Sequence, residues 1–252
     1  MTISLLQQDI VWGNPLANQQ AAEKAIIAAP KSDLYVLPEM WSTGFASDPK
    51  GVAESDKSSL LFMKKMADQM DAAIAGSIAT EEDGKFYNRF YFVKPGEAEP
   101  AYYDKHHLFT YSGEHHRYSA GKERVVVEWR GVRFLLQVCY DLRFPIFSRN
   151  SAEGPDSYDV ALYVASWPTS RRAPWDTLLR ARAIENQCYV CGVDRVGEDP
   201  ACKYNGGTAI IDAYGRTVAA CPDDEVSVIS AEIDMDFLLA FRKKFPVLGD
   251  RD

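Results

Sequence analysis

Long apolar runs are missing from this 252-residue chain, and with them the case for a membrane span, which takes about 20 consecutive apolar residues as a helix. No basic region followed by an apolar stretch opens the chain, so no secretory leader is expected. Positive charge is scarce. Twenty-eight Lys and Arg against 36 Asp and Glu leave a net charge of -8, which argues against a nucleic-acid surface. Glycine-serine tracts, like-charge blocks and internal repeats are absent as well, so residues 1–252 are expected to form one domain. Cysteine is sparse, five in number and without the spacing of a disulfide framework, which fits a reducing cytoplasm. Cys188 and Cys191 form a C-x-x-C, but strand alternation sends them to opposite faces. The four histidines fall in the adjacent pairs His106-His107 and His115-His116, which match no zinc signature. Neither a metal nor a cofactor is expected.

What the chain does contain is strand and helix patterns in alternation. Ile3 to Gln8 reads as a strand, and Asn14-Pro15 supplies a cap and first-turn proline for a helix with Ala17, Ala21, Ala25 and Ala28 on one face. Strands follow at 33–37, 73–79 and 86–93, with a helix at 58–71 and a hairpin turn at Asp83-Gly84. Pro95-Gly96 turns the chain toward a strand ending at Lys105. The second half gives strands at 125–129 and 132–139, flanking Arg130-Gly131, then a buried strand at 159–166. A helix at 173–187 places Trp175, Leu178 and Leu179 on one face. Strands at 188–194, 208–212, 217–220 and 227–233 and a helix at 235–244 complete the chain. The class is α/β.

Three of these apolar runs end on chemistry. The run from 132 turns polar at Cys139, before an aromatic and proline segment that reads as the opening of a helix. Such a junction leaves backbone N–H groups free to favour a thiolate and the oxyanion it creates. The strand at 33–37 delivers Glu39, and the aromatic stretch from Ala101 delivers Lys105. In open α/β sheets ligands bind beyond the carboxyl ends of strands, so the three describe one site.

The segments Leu37-Pro38-Glu39-Met40, Tyr103-Asp104-Lys105-His106-His107-Leu108-Phe109 and Val138-Cys139-Tyr140-Asp141-Leu142-Arg143-Phe144-Pro145 resemble the nitrilase superfamily of carbon–nitrogen hydrolases. Asn88, Glu114 and the stretch from Arg180 to Asn186 match as well, so the resemblance spans nearly the whole chain. It implies a single-domain, four-layer α-β-β-α sandwich that forms a homodimer or larger homo-oligomer through its helical faces, with a C-terminal tail over the partner. Within the superfamily the chain is most similar to bacterial omega-amidases, which act on 2-oxo acid amides such as 2-oxoglutaramate or 2-oxosuccinamate. Glu114 enters as a fourth site residue by this resemblance; its position alone does not single it out from Glu123 or Glu128.

Amide resonance weakens the carbonyl as an electrophile, so hydrolysis needs a strong nucleophile, an oxyanion stabiliser and an acid. Cys139 is expected to attack while Glu39 accepts its proton and passes one to the departing nitrogen. Lys105 and the backbone N–H of Tyr140 hold the oxyanion; Glu114 orients Lys105. A substrate carboxylate calls for arginine, and Arg143, Arg171 and Arg172 lie close to site segments. Trp41, Phe45, Tyr111, Tyr140 and Trp167 are candidate pocket walls, although aromatic residues serve equally as core. Two other classes stay open: acyl transfer from the same thioester, and a non-catalytic binding protein on this scaffold.

Overall fold

The structure is a computed structural model and describes residues 1–250. The first half runs β1 (Thr2–Gln7), α1 (Pro15–Ala28), β2 (Leu34–Val36), α2 (Ser58–Met70), β3 (Ala73–Glu82), β4 (Lys85–Val93) and β5 (Ala101–Asp104). The second half adds β6 (Val126–Trp129), β7 (Val132–Val138), β8 (Val160–Val164), α3 (Arg172–Asn186), β9 (Tyr189–Val193), β10 (Val196–Glu198), β11 (Lys203–Asn205), β12 (Ala209–Ile211), β13 (Thr217–Ala220), β14 (Ser227–Glu232) and α4 (Met235–Lys244). Two six-stranded sheets result, ordered β14-β1-β2-β3-β4-β5 and β13-β12-β9-β8-β7-β6. Each holds three parallel strands in its middle, β1-β2-β3 and β7-β8-β9, flanked by antiparallel neighbours.

Alternation along the strands builds the layers. On β1, Leu5 points between the sheets while its neighbour Leu6 points outward under the helices. Phe90 and Phe92 of β4 meet Phe134 and Leu136 of β7 in the inter-sheet core, with the Phe92 and Phe134 rings 5.5 Å apart. Outside the first sheet, Ala22, Ile26, Phe62 and Met63 of α1 and α2 pack on Tyr35 and Ile74. Outside the second, Trp175, Leu179 and Ala183 of α3 pack on Leu135, Ala161 and Val190. This is the expected α-β-β-α order. Each fully buried Leu, Ile, Val or Phe side chain in these layers contributes about 1.5–3 kcal/mol. Cys188 and Cys191 do face opposite layers, Cys188 toward α3 and Cys191 between the sheets.

Three expectations need correction. The buried stripe of α1 is Asn18, Ala22 and Ile26 rather than the alanines at 17, 21, 25 and 28. Asn18 sets that rotation: its side chain bonds Val11 through both N–H and C=O and donates to the Ser42 carbonyl at 2.7 Å. No long helix follows Cys139, only a five-residue 3-10 turn, Cys139–Arg143, after which the chain is irregular. The β10-β11 hairpin was not anticipated. Its strands are three residues each, and its turn is held by Asp199, whose Oδ1 accepts from the backbone N–H of Ala201 and of Cys202, each at 2.7 Å. Among the described residues no helix is long and apolar enough to cross a membrane.

Candidate active site

Glu39, Lys105 and Cys139 leave the carboxyl ends of β2, β5 and β7, and Ser166 leaves that of β8. The two sheets face each other, so these ends converge. Lys105 is fully buried, and so are both carboxylates beside it. Its Nζ donates to Glu39 Oε1 at 2.9 Å and to Glu114 Oε2 at 3.0 Å and Oε1 at 3.2 Å. Two carboxylates around one ammonium hold the lysine charged, and its pKa rises despite the burial that opposes it. Glu114 opens a short 3-10 turn and takes the backbone N–H of Phe109 on Oε2 at 2.6 Å. Its pKa is raised, first by burial and then by the charge of Glu39, with Lys105 working against both.

Cys139 is half-buried at the foot of a cavity of about 390 Å³, which Lys105 also lines. Its φ of +46° turns the chain at the strand end, a conformation that costs about 1–3 kcal/mol outside glycine. The surroundings of Cys139 oppose the thiolate that the strand-end junction is expected to favour. Burial and the adjacent Glu39 carboxylate push the thiol pKa well up, and Lys105 offsets this only in part. The 3-10 turn is too short for a helix dipole to counter them. These surroundings favour the protonated sulfur.

Asp141 braces this turn against the Lys105 segment. Its Oδ2 accepts from Val138 N–H at 2.9 Å and from the Tyr103 hydroxyl at 2.8 Å. Oδ1 accepts from the backbone N–H of His107 at 3.0 Å and faces His107 Nδ1 at 2.8 Å, which requires the Nδ1-protonated ring. His106 Nδ1 lies 2.8 Å from the Gly121 carbonyl. Among the described residues no group of three or more His, Cys, Asp or Glu converges as a metal set.

Phe45, Tyr111, Tyr140, Trp167, Arg143 and Arg171 all line the cavity. Arg143 lies over the Trp167 ring, 4.9 Å from its centroid, and Arg171 faces Phe109 and Tyr111 at 5.4 and 5.7 Å. Neither arginine has an acidic partner among the described residues. Two expected residues lie elsewhere. Trp41 is fully buried against Phe62, with ring centroids 5.5 Å apart, because Met40 adopts φ +44° and swings the chain under α2. Arg172 is bound to Asp176 at 2.8 Å and Asp223 at 2.9 Å, which occupies its guanidinium. Wall residues not foreseen are Trp12, Phe109, Cys202 and Tyr204. The Cys202-Tyr204 wall belongs to the unanticipated hairpin, and only the turn residues Gly197 and Pro200 signalled it.

This arrangement offers a thiol, two carboxylates, a fixed ammonium and a partly open, mainly apolar cavity with two guanidinium groups that lack acidic partners among the described residues. The carbon-nitrogen hydrolase family model matches residues 2–243. An omega-amidase, YafV, of Yersinia enterocolitica is 44% identical over 253 aligned positions, covering 100% of this chain and 97% of that protein. A 2-oxoglutaramate amidase of Bacillus subtilis is 37% identical, covering 99% and 96%. Among solved structures, the Xanthomonas campestris protein XC1258, a CN-hydrolase superfamily member with an arsenic adduct in its active site, superposes with a TM-score of 0.95. It is 39% identical, and the match covers 100% of this chain and 97% of that one. The chain belongs to the carbon-nitrogen hydrolase family, the nitrilase superfamily, whose members hydrolyse carbon–nitrogen bonds other than peptide bonds.

Proposed function

We propose that this protein is an omega-amidase that hydrolyses the terminal amide of a small 2-oxo dicarboxylic acid monoamide, 2-oxoglutaramate or 2-oxosuccinamate, to the acid and ammonia. The observation that carries this reading is the pairing, in one cavity, of Cys139 and of Lys105, held from behind by Glu39 and Glu114, with two arginines that lack acidic partners among the described residues. The cluster suits the amide end of the substrate, and a guanidinium suits its carboxylate. The names of the relatives above support the same substrate class.

The placement of Cys139, Lys105 and Glu39 supports the following course. As Cys139 Sγ bonds to the carbonyl carbon, its proton passes to Glu39 and the π electrons move onto oxygen. That oxyanion meets the Lys105 ammonium and the backbone N–H of Tyr140; losing one such donor costs about 3 kcal/mol of barrier. Glu39 returns the proton to nitrogen, the C–N bond breaks and ammonia leaves a thioester. Water then attacks, giving its proton to Glu39, and the carboxylic acid departs as the thiol is restored. Residues 1–252 act as one domain, working in the cytoplasm as a homodimer or larger homo-oligomer.

The test mixes the protein with 2-oxoglutaramate, 2-oxosuccinamate, neutral amides, nitriles and N-carbamoyl amino acids. Ammonia release from the 2-oxo acid amides and a mass adduct on Cys139 are expected. Ammonia or adducts only from the other classes would overturn the assignment.

A further inference from the structure

Asn88 sits wholly buried in β4, opposite Ala79 of β3, in a strand interior where asparagine is disfavoured. Its Nδ2 donates to Glu39 Oε1 at 2.7 Å and lies 3.3 Å from Glu114 Oε1, while its own Oδ1 is buried with no partner among the described residues. Turning the amide over would aim that oxygen at two carboxylates, so they fix its orientation. A residue selected only to hold the strand would not leave its acceptor unmatched in order to serve two acids.

A carboxylate offers about four lone-pair directions, two on each oxygen. Oε1 of Glu39 takes Asn88 Nδ2 and Lys105 Nζ; Oε2 takes the backbone N–H of Ser166 at 2.8 Å and keeps one direction open. Of the three N–H bonds on Lys105, one goes to Glu39 and one is shared by the Glu114 oxygens. The third is left for the cavity.

The geometry points to Asn88 as a positioning residue that keeps Glu39 Oε1 saturated, so that the proton leaving Cys139 is taken by Oε2. In that step the S–H bond breaks, the O–H bond forms on Oε2, and the sulfur pair bonds the carbonyl carbon. This rests on the reading of Glu39 as the base. The charged and titratable groups facing Glu39 are Lys105 after β5, Glu114 in its 3-10 turn, Tyr118 just beyond that turn, Cys139 after β7 and Asp194 after β9. Without Asn88 the Glu39-Glu114 pair loses one donor that favours its charged form and keeps Lys105, the Ser166 N–H and the Phe109 N–H.

The test is Asn88→Ala and Asn88→Ser, with kcat and KM followed through the acid limb of the rate profile. The folded fraction of each variant is read from the amplitude of its thermal melt. Asn88→Ala is expected to lower kcat per site about tenfold to a hundredfold, with KM changed by less than about twofold and the acid limb moved upward. Asn88→Ser keeps one hydroxyl donor and should recover part of both effects; it carries the test if the alanine variant does not fold. An unmoved limb, with kcat falling only as the folded fraction falls, would overturn the role of Asn88. A wild-type protein that releases no ammonia from any amide would instead overturn the reading beneath it, so the two failures are distinct.

Discussion

The backbone N–H of Ser166 donates to Oε2 of Glu39 at 2.8 Å, across 127 residues of sequence. Glu39 is carried by the first sheet and Ser166 by the second, so this bond spans the seam between them. The next residue, Trp167, gives its N–H to Asp194 Oδ1, also at 2.8 Å. The orientation of Glu39 thus depends on how the two sheets are packed, and a slip of either strand end would be felt at its carboxylate.

Cys139 tests nucleophile and backbone separately. Cys139→Ala is expected to lower turnover by at least about a thousandfold, since no other thiol stands beside Glu39 and Lys105. Cys139→Gly should be equally inactive yet more stable than the alanine variant by about 1 kcal/mol, because glycine accepts φ +46° without strain. Ammonia assays and urea unfolding midpoints read the two effects. Equal midpoints would show that the turn stores no strain.

Lys105 joins catalysis to folding. Lys105→Met leaves two fully buried carboxylates facing each other without a cation, which costs about 3–5 kcal/mol on top of at least a hundredfold loss in kcat. Adding Glu114→Gln removes one of those charges. The double variant should regain part of the stability and none of the activity, a split that thermal melts and ammonia release resolve.

Arg143 and Arg171 are expected to act on the substrate carboxylate. Replacing either with Met should lower kcat/KM for a 2-oxo acid monoamide about tenfold to a hundredfold, the worth of a charged hydrogen bond. A neutral amide of similar length should lose less than about twofold. If both substrates decline together, the arginines shape the cavity rather than read the carboxylate.

Sequence made the three-part cluster legible because Glu39, Lys105 and Cys139 each end an apolar strand, and parallel strands gather their carboxyl ends. The same rule misplaced Trp41. Two residues past Glu39, the chain has already turned at Met40, and Gly76 admits the indole: a Cβ there would stand 3.0 Å from Trp41 Cδ1. Arg172 was readable in hindsight from its i,i+4 partner Asp176, which neutralises it on the helix. Trp12 and Tyr204 were not readable at all, since only the tertiary fold brings them to the cavity. Glu114 was reached only through the family resemblance, because the burial of this loop glutamate depends on a lysine nine residues earlier.

Asp194 gives the protein a pH-dependent stability. It is fully buried, Oδ1 accepts the N–H of Trp167 and of Arg195 at 2.8 Å each, and Oδ2 has no partner among the described residues. Burial raises its pKa well above the usual carboxylate range, and the two backbone donors offset this only in part. A folded pKa above the unfolded one means that the native state binds the proton more tightly. The stabilisation is therefore complete below about pH 4, where both states are protonated, and it declines as pH rises toward the folded pKa, by up to about 1.4 kcal/mol per unit. Asp194→Asn keeps the Oδ1 acceptor and removes the titration. Melting temperatures of the two proteins should draw together near pH 4 and separate in favour of the variant as pH rises. A constant difference across that range would mean that the unfolded and folded states hold this proton equally.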